Sequence, residues 1–234
     1  MEFNQFGQPI GHAIQQPIPG KFKAQSLIGN DVNLVLIEQD RVALKNVEQL
    51  WDCIKTEPDE RCWTYLPYEA PETFRQLEYN LKRNFGFEPS FHYWIMVEGQ
   101  AVGWIALMNL REQHAAVEIG NVYFSHRLKQ TAAATEVIYL LLNHCFEQGL
   151  RRIEWKCDDL NGPSKRAALR FGFVYEGLFR QDRVSKGRNR DTTWFSIIDS
   201  EWASLKTAYL QWLNPDNFNH AGKQKKRLED FIVT

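Results

Sequence analysis

Apolar positions recur along this chain with two different spacings, and the places where one gives way to the other mark its elements. Near the amino end, Val32-Asn33-Leu34-Val35-Leu36-Ile37 reads as a short strand. Over residues 41–54 the spacing lengthens, and Leu44, Val47, Leu50, Trp51 and Ile54 share one face of a helix. A second helix is expected over residues 71–85. Strand character returns at residues 92–97 and 101–107, with Glu98-Gly99-Gln100 as the turn of a hairpin, and residues 115–124 add a third strand to an antiparallel meander. The strongest helical pattern opens near Thr131: Ala134, Val137, Ile138, Leu141, Leu142, Cys145 and Phe146 fall on one stripe, and Gly149 is the expected stop. Residues 152–158 form a strand with 153, 155 and 157 on one face. Asn161 caps a short helix that tolerates Pro163 in its first turn and ends at Gly172. Residues 173–181 and 192–199 read as two strands joined by a basic loop containing Gly187, and residues 201–213 as a final helix.

The resulting order, β-α-α-β-β-β-α-β-α-β-β-α, specifies an α/β (α+β) fold: a mixed, mostly antiparallel central sheet with helices on both faces. It makes one domain over residues 1–234. Residues 1–30, with Pro9, Pro17, Pro19 and four glycines, read as an extended arm; residues 31–200 form the core; residues 201–234 are a C-terminal helix and a polar tail. Charge narrows the function classes. Lys and Arg total 28 against 29 Asp and Glu, a net charge of -1, which argues against a nucleic-acid or anionic-membrane binder. The longest apolar run, Val137-Ile138-Tyr139-Leu140-Leu141-Leu142, is far shorter than the ~18 residues that cross a bilayer. The first residues, MEFNQFGQPIG, lack a basic and an apolar signal region, so a cytoplasmic location is expected. Cys53, Cys62, Cys145 and Cys157 have neither C-x-x-C nor zinc-finger spacing and read as reduced core thiols, with no metal expected. The aromatic content, 13%, is read mainly as core mass.

Two segments could carry chemistry. A strand ends at Phe124, the loop Ser125-His126-Arg127-Leu128 follows, and Lys129-Gln130-Thr131-Ala132-Ala133-Ala134-Thr135 opens the long helix. Small residues there let a ligand reach the backbone, and unpaired first-turn N–H groups at the positive end of the helix dipole suit a pyrophosphate. The same run also reads simply as a good helix start. The second segment is Asn161-Gly162-Pro163-Ser164, a short helix, Gly172-Phe173 and Glu176-Gly177.

This second segment resembles the second signature of the GNAT-type N-acetyltransferases, and residues 129–134 occupy the place of that family's Q/R-x-x-G-x-G/A pyrophosphate loop. Val117-Glu118-Ile119-Gly120 is similar to the RimJ/RimL branch, the ribosomal-protein N-terminal acetyltransferases and their relatives. The resemblance spans residues 30–200 and implies a GNAT-like acyl-CoA N-acyltransferase fold with acetyl-CoA as co-substrate. It implies that Val122 and Tyr123 present backbone groups to the pantetheine arm. Lys129, Gln130, Thr131, Ala132, Ala133, Ala134 and Thr135 would hold the pyrophosphate through backbone N–H groups and the side chains of Gln130, Thr131 and Thr135. Asn161 would bond the pantetheine amide, and Ser164 would reach the sulfur. Two departures stand out. Ala132 replaces a usual Gly, so its backbone must be right-handed helix. Ala168 replaces a Tyr that in many relatives protonates the leaving thiolate, so that role passes to Ser164, to water or to nothing.

Glu118 lies opposite Val117 and Ile119, beside Gly120, and is the candidate base; it reads equally as a Glu paired with a basic side chain. His126 and His144 read as a loop residue and a core or solvated helix residue. Arg180, Arg183, Lys186, Arg188 and Arg190 either recognise an anionic group near the acceptor site or simply solvate a hairpin tip. The expected activity is transfer of an acetyl group from acetyl-CoA to an amine by direct attack in a ternary complex, the acceptor being a peptide N-terminus or a small amine. The other reading is a catalytically idle acyl-CoA-binding sensor or scaffold. Either would work as a monomer or homodimer, without nucleic acid or membrane as partner.

Overall fold

The computed structural model describes residues 2–14, 20–38, 42–85 and 90–232. Its main sheet has eight strands: β3 (Leu27–Ile28), β4 (Asn33–Leu36), β5 (Phe91–Val97), β6 (Gln100–Arg111), β7 (Ala116–Phe124), β8 (Arg152–Asp158), β9 (Val174–Ser185) and β10 (Arg188–Ile198). They are ordered β3-β4-β5-β6-β7-β8-β10-β9, and every neighbouring pair is antiparallel except β7 and β8. Helices α1 (Leu44–Lys55), α2 (Phe74–Asn84), α3 (Ala132–Glu147), α4 (Gly162–Arg170) and α5 (Asp199–Leu213) cover it. A separate two-stranded hairpin joins β1 (Glu2–Phe3) to β2 (Pro9–Ile10).

Side-chain alternation sorts the helices onto the two faces. Tyr93, Ile95, Ile105, Leu107, Val117, Ile119 and Ile153 point one way, into a core shared with Val137, Ile138, Leu141 and Leu142 of α3 and Leu205 and Tyr209 of α5. Trp94, Trp104 and Tyr123 point the other way and pack with Val47 and Leu50 of α1 and Leu77 and Leu81 of α2. The α3 stripe read from the sequence is the buried one, and its end is closed as expected: Gly149 takes φ 81, and Leu150 N–H reaches back to the Cys145 carbonyl.

The sheet is split at its centre. β7 and β8 pair only from Ala116–Arg152 to Ile119–Trp155; beyond that, residues 120–124 and 156–158 diverge, while β8 stays on β10 as far as Asp158–Thr192. Two bulges flank the split. Between Trp104–Tyr123 and Ala106–Gly120, β7 carries one extra residue, and Asn121 there has φ 46. Between Met108–Glu118 and Arg111–Ala116 the extra residue is on β6, and Asn109 there has φ 52.

Several boundaries differ from the sequence reading. The arm is not featureless: besides the β1–β2 hairpin it supplies β3 and is tied to the core. Phe22 N–H donates to Glu112, Lys23 O accepts from Gln148 and contacts His144 Nε2 at 3.0 Å, and Asn30 and Asp31 N–H donate to the buried Glu136. Pro17, Pro19 and Arg41 lie outside the described residues. The basic loop is mostly strand: only Lys186 and Gly187 separate β9 from β10, so Arg180, Arg183, Arg188 and Arg190 sit on a long ribbon. α5 starts at Asp199 rather than 201. The polar tail is packed, with short 3-10 turns at Pro215–Asn217 and Leu228–Phe231 and with Leu228 fully buried.

Candidate active site

The candidate anion-binding end is built by the loop after β7. Ser125 O accepts from both Leu128 and Lys129 N–H, which folds the loop into a tight turn. Gln130 then takes a left-handed backbone, φ 64, and delivers the chain to Thr131 as the N-cap of α3. The Thr131 hydroxyl donates to Leu128 O at 2.7 Å and accepts from Ala134 N–H at 3.2 Å. That leaves the N–H groups of Ala132 and Ala133 without acceptors among the described residues, at the positive helix end. They border an open cleft of about 500 Å³ whose far wall is Asn30, Asp31, Val32 and Asn33. The expected anion-binding run is thereby narrowed. The Thr131 hydroxyl is spent on the cap, Ala134 N–H is capped, and Thr135 is buried and accepts from Arg170 at 3.0 Å. Ala132 is right-handed helix, as its side chain requires. The whole loop is pinned from α1's end by buried Glu57, which accepts from Tyr123 OH and His126 N–H and lies 3.5 Å from Lys129 Nζ.

At the split, Asn121 and Val122 have no register partner on β6, and β8 has already departed. Their backbone is therefore open toward the wedge in the middle of the sheet. The Asn121 amide lies on the α1–α2 side, where Oδ1 accepts from Tyr68 OH at 2.6 Å and Nδ2 lies 3.0 Å from His92 Nε2. Burial pushes His92 down to about 4, so its ring is neutral near pH 7 and one ring nitrogen is an acceptor. Burial also holds the Tyr68 phenol well above its ordinary value, so Tyr68 stays a donor. His92 stacks on Phe85 at 4.2 Å, and its Nδ1 is buried with no hydrogen-bond partner among the described residues.

Glu118 shares this face. Its Oε2 accepts from Asn109 Nδ2 at 2.6 Å and lies 3.0 Å from Lys156 Nζ. Lys156 also approaches Glu154, at 3.1 Å, and sits 3.7 Å from the Trp194 ring centroid. Glu154 is held further by Arg111 and Arg152, and Arg152 grips Glu176. Burial opposes charge on Glu154, but the hydrogen bonds from Arg111 and Arg152 and the Lys156 charge outweigh it and bring the carboxyl down to about 2. Glu118 is thus ion-paired, yet only through one oxygen. Oε1 accepts none of the described hydrogen bonds and faces Gly120, where an added Cβ would stand 3.2 Å from it and 2.6 Å from Met108 Sδ.

Across the wedge, Asn161 caps α4 through Oδ1, which accepts from Ser164 N–H at 3.1 Å; its Nδ2 donors remain open. Ser164 Oγ accepts from Trp155 Nε1 at 3.0 Å, and its hydroxyl also neighbours the Cys157 sulfur. Ala168 is fully buried in the core. Two links roof the site: Tyr65 OH donates to Leu160 O at 3.0 Å, and Lys186 Nζ, at the β9–β10 tip, donates to Trp63 O at 2.8 Å and Glu69 at 3.0 Å. Among the other basic ribbon residues, Arg183 pairs with Asp182 and Arg190 bonds Thr192.

The structure therefore places Glu118 and Val122 on β7 at the split, the open N–H groups of Ala132 and Ala133 at the start of α3, and Asn161 and Ser164 at the start of α4 after β8. It adds Asn109, Asn121, Tyr68, His92 and Lys156, none of which the sequence reading singled out. An Asn inside each of two strands, a residue depleted in strands, was the available signal for the bulges. No His, Cys, Asp or Glu group able to hold a metal occurs among the described residues, and no helix there is long and apolar enough to cross a membrane.

Residues 41–174 match the family described as acetyltransferase (GNAT) domain. A GCN5-related N-acetyltransferase structure from Brucella melitensis is 38% identical, covers 93% of this chain and 99% of its own, and superposes with a TM-score of 0.88. A probable GNAT-family acetyltransferase from Chromobacterium violaceum ATCC 12472 is 34% identical, with 84% and 99% covered and a TM-score of 0.73. YdaF of Bacillus subtilis (strain 168), which carries the name of a ribosomal N-acetyltransferase, is 26% identical over 113 residues; the match spans 48% of this chain and 61% of that protein.

Proposed function

Because the chain belongs to the GNAT family of acetyl-CoA-dependent N-acetyltransferases, we propose that it moves the acetyl group directly onto an amine within a ternary complex, and that the preferred acceptor is a peptide N-terminus. The observation that carries this reading is the wedge itself: an unpaired strand segment at Asn121–Val122 leads to open N–H groups at Ala132 and Ala133. A pantetheine arm is an extended chain with amide groups and can replace the missing strand pairing there. The pyrophosphate then falls at Gln130, Ala132 and Ala133, with Lys129 alongside, and Asn161 Nδ2 donates to a pantetheine carbonyl. Val122 N–H is the donor for the thioester oxygen as it gains charge.

The amine attacks the carbonyl carbon, the C–N bond forms and the C–S bond breaks. The amine's proton goes to Glu118 Oε1, directly or through one water, and the Ser164 hydroxyl serves the departing thiolate. Positioning of the two substrates supplies much of the rate. Acceptor choice follows from proton cost. At pH 7, freeing an α-amine costs about 1.0–1.4 kcal/mol, and a lysine amine about 4.6 kcal/mol. A site with one candidate base favours the former. YdaF, a relative by 26% identity over 113 residues, is named for N-acetylation of a ribosomal acceptor. The test is competition between two peptides, one with a free N-terminus and no lysine, the other blocked and lysine-bearing. Faster acetylation of the first supports the reading, and preferential lysine modification defeats it.

A further inference from the structure

We propose that Asn121 is a positioning residue, tethered by Tyr68 and His92 so that the backbone of Val122 stays turned into the wedge; the inference rests on the acetyl-transfer reading above. An asparagine with φ 46 in the middle of a strand has left the extended conformation of its neighbours for the left-handed region. Regular strand pairing does not set that conformation, because Asn121 and Val122 fall in the bulge against β6 and beyond the last β7–β8 pair. The side chain does.

The hydrogen bonds run in one direction. Tyr68 donates to Oδ1, so Oδ1 is an acceptor and Nδ2 the donor to His92 Nε2. The single proton of neutral His92 must then sit on Nδ1, the buried atom with no partner among the described residues. An orphaned N–H beneath a chain of satisfied bonds is a cost tolerated so that Nε2 remains an acceptor. The stack on Phe85 fixes the ring plane. Both tethers come from outside the β6–β7 pair: His92 from β5, and Tyr68 from the segment whose Trp63 carbonyl and Glu69 receive Lys186. The acceptor-side roof and the cofactor-side backbone thus meet at one amide.

The test pairs His92→Phe with His92→Gln, and Asn121→Ala with Asn121→Gly, in the full chain. Phe keeps the stack but offers Asn121 no acceptor, whereas Gln offers a carbonyl in nearly the same place. Thioester turnover with a free-N-terminus peptide should fall about tenfold in His92→Phe and stay within about threefold of wild type in His92→Gln. Asn121→Gly should exceed Asn121→Ala, because glycine takes the left-handed backbone without strain. Backbone chemical shifts of residues 120–124, recorded without ligand, should leave the left-handed signature at 121 in His92→Phe and keep it in His92→Gln. Unchanged turnover and shifts in His92→Phe would overturn the tether. Failure of the wild type to bind CoA or consume acetyl-CoA would instead overturn the acetyl-transfer reading, and the shifts would still decide whether the tether holds the bulge.

Discussion

Asn109 donates its amide to Glu118 across 2.6 Å, and it does so from a left-handed backbone of φ 52 on the neighbouring strand. A bulge that re-aims one side chain is here spent on orienting a carboxylate. With Oε2 engaged by Asn109 and Lys156, the remaining oxygen is directed over Gly120.

If Oε1 takes the amine's proton, Glu118→Gln should lower kcat by about 10²–10⁴-fold. Asn109→Gly keeps the backbone accessible and deletes only the donor, so kcat should fall about tenfold with acetyl-CoA affinity unchanged. Steady-state kinetics alongside calorimetry separates the two quantities. A fully active Glu118→Gln would remove Glu118 from the mechanism.

Asn161 has two duties that one substitution can separate. Asn161→Asp retains an oxygen to cap α4 but loses the Nδ2 donors, so CoA affinity should drop about 2- to 13-fold with little change in melting temperature. Asn161→Ala should lose both, adding about 1 kcal/mol of destabilisation. Equal CoA affinity in the wild type and the Asp variant would mean that the amide does not touch the cofactor.

Acid should weaken the fold through His92. Its ordinary value is 6.5 and its folded value about 4, so between those pH values the unfolded chain takes up a proton that the folded chain refuses. Stability therefore falls as pH drops through that window, by about 3 kcal/mol in all. Glu154, brought down to about 2, adds to the loss only below pH 4.5. Urea midpoints of wild type and His92→Phe between pH 7 and 4.5 should diverge in slope, the variant's being flatter. Parallel slopes would place the acid sensitivity elsewhere.

The Lys186 link should matter for the acceptor more than for stability. Lys186→Met removes both bonds from the ribbon tip to Trp63 and Glu69. The expected result is a several-fold rise in acceptor KM with CoA affinity unaltered; an unchanged KM would show that the roof does not border the acceptor.

The elements were legible where one face is buried and the other is not. The α3 stripe from Val137 to Cys145 and the alternation at 153, 155 and 157 both follow from burial against the core. The β9–β10 ribbon was read too short because Val184, Arg183 and Arg188 are solvated, leaving no alternation to mark the strand. The tail was missed because its anchors, Phe218, Leu228, Phe231 and Ile232, are scattered among polar residues and follow no period. At the site, Asn161 could be found because a cap is a local property. The Glu118–Lys156 pair could not: alternation places each on the polar face of its strand, but nothing local says that those strands are parallel neighbours. Nor does composition reveal that the ladder between them stops after Ile119.

That early stop gives the protein a seam. β3 to β7 with α1 and α2 lie on one side, β8 to β10 with α4 on the other, and α3 is the chain's bridge between them. Four residue pairs are a thin weld for the middle of a sheet, stitched on the α1–α2 side by the Lys156–Glu118 and Arg111–Glu154 ion pairs and by the Tyr65 and Lys186 links. If acetyl-CoA lodges in the seam as proposed, it supplies rungs that the strands themselves lack, and the substrate becomes part of the architecture. At a concentration a hundredfold above its Kd it would add about 2.7 kcal/mol to the folded state, and it would do so at the joint where the two half-sheets are least held.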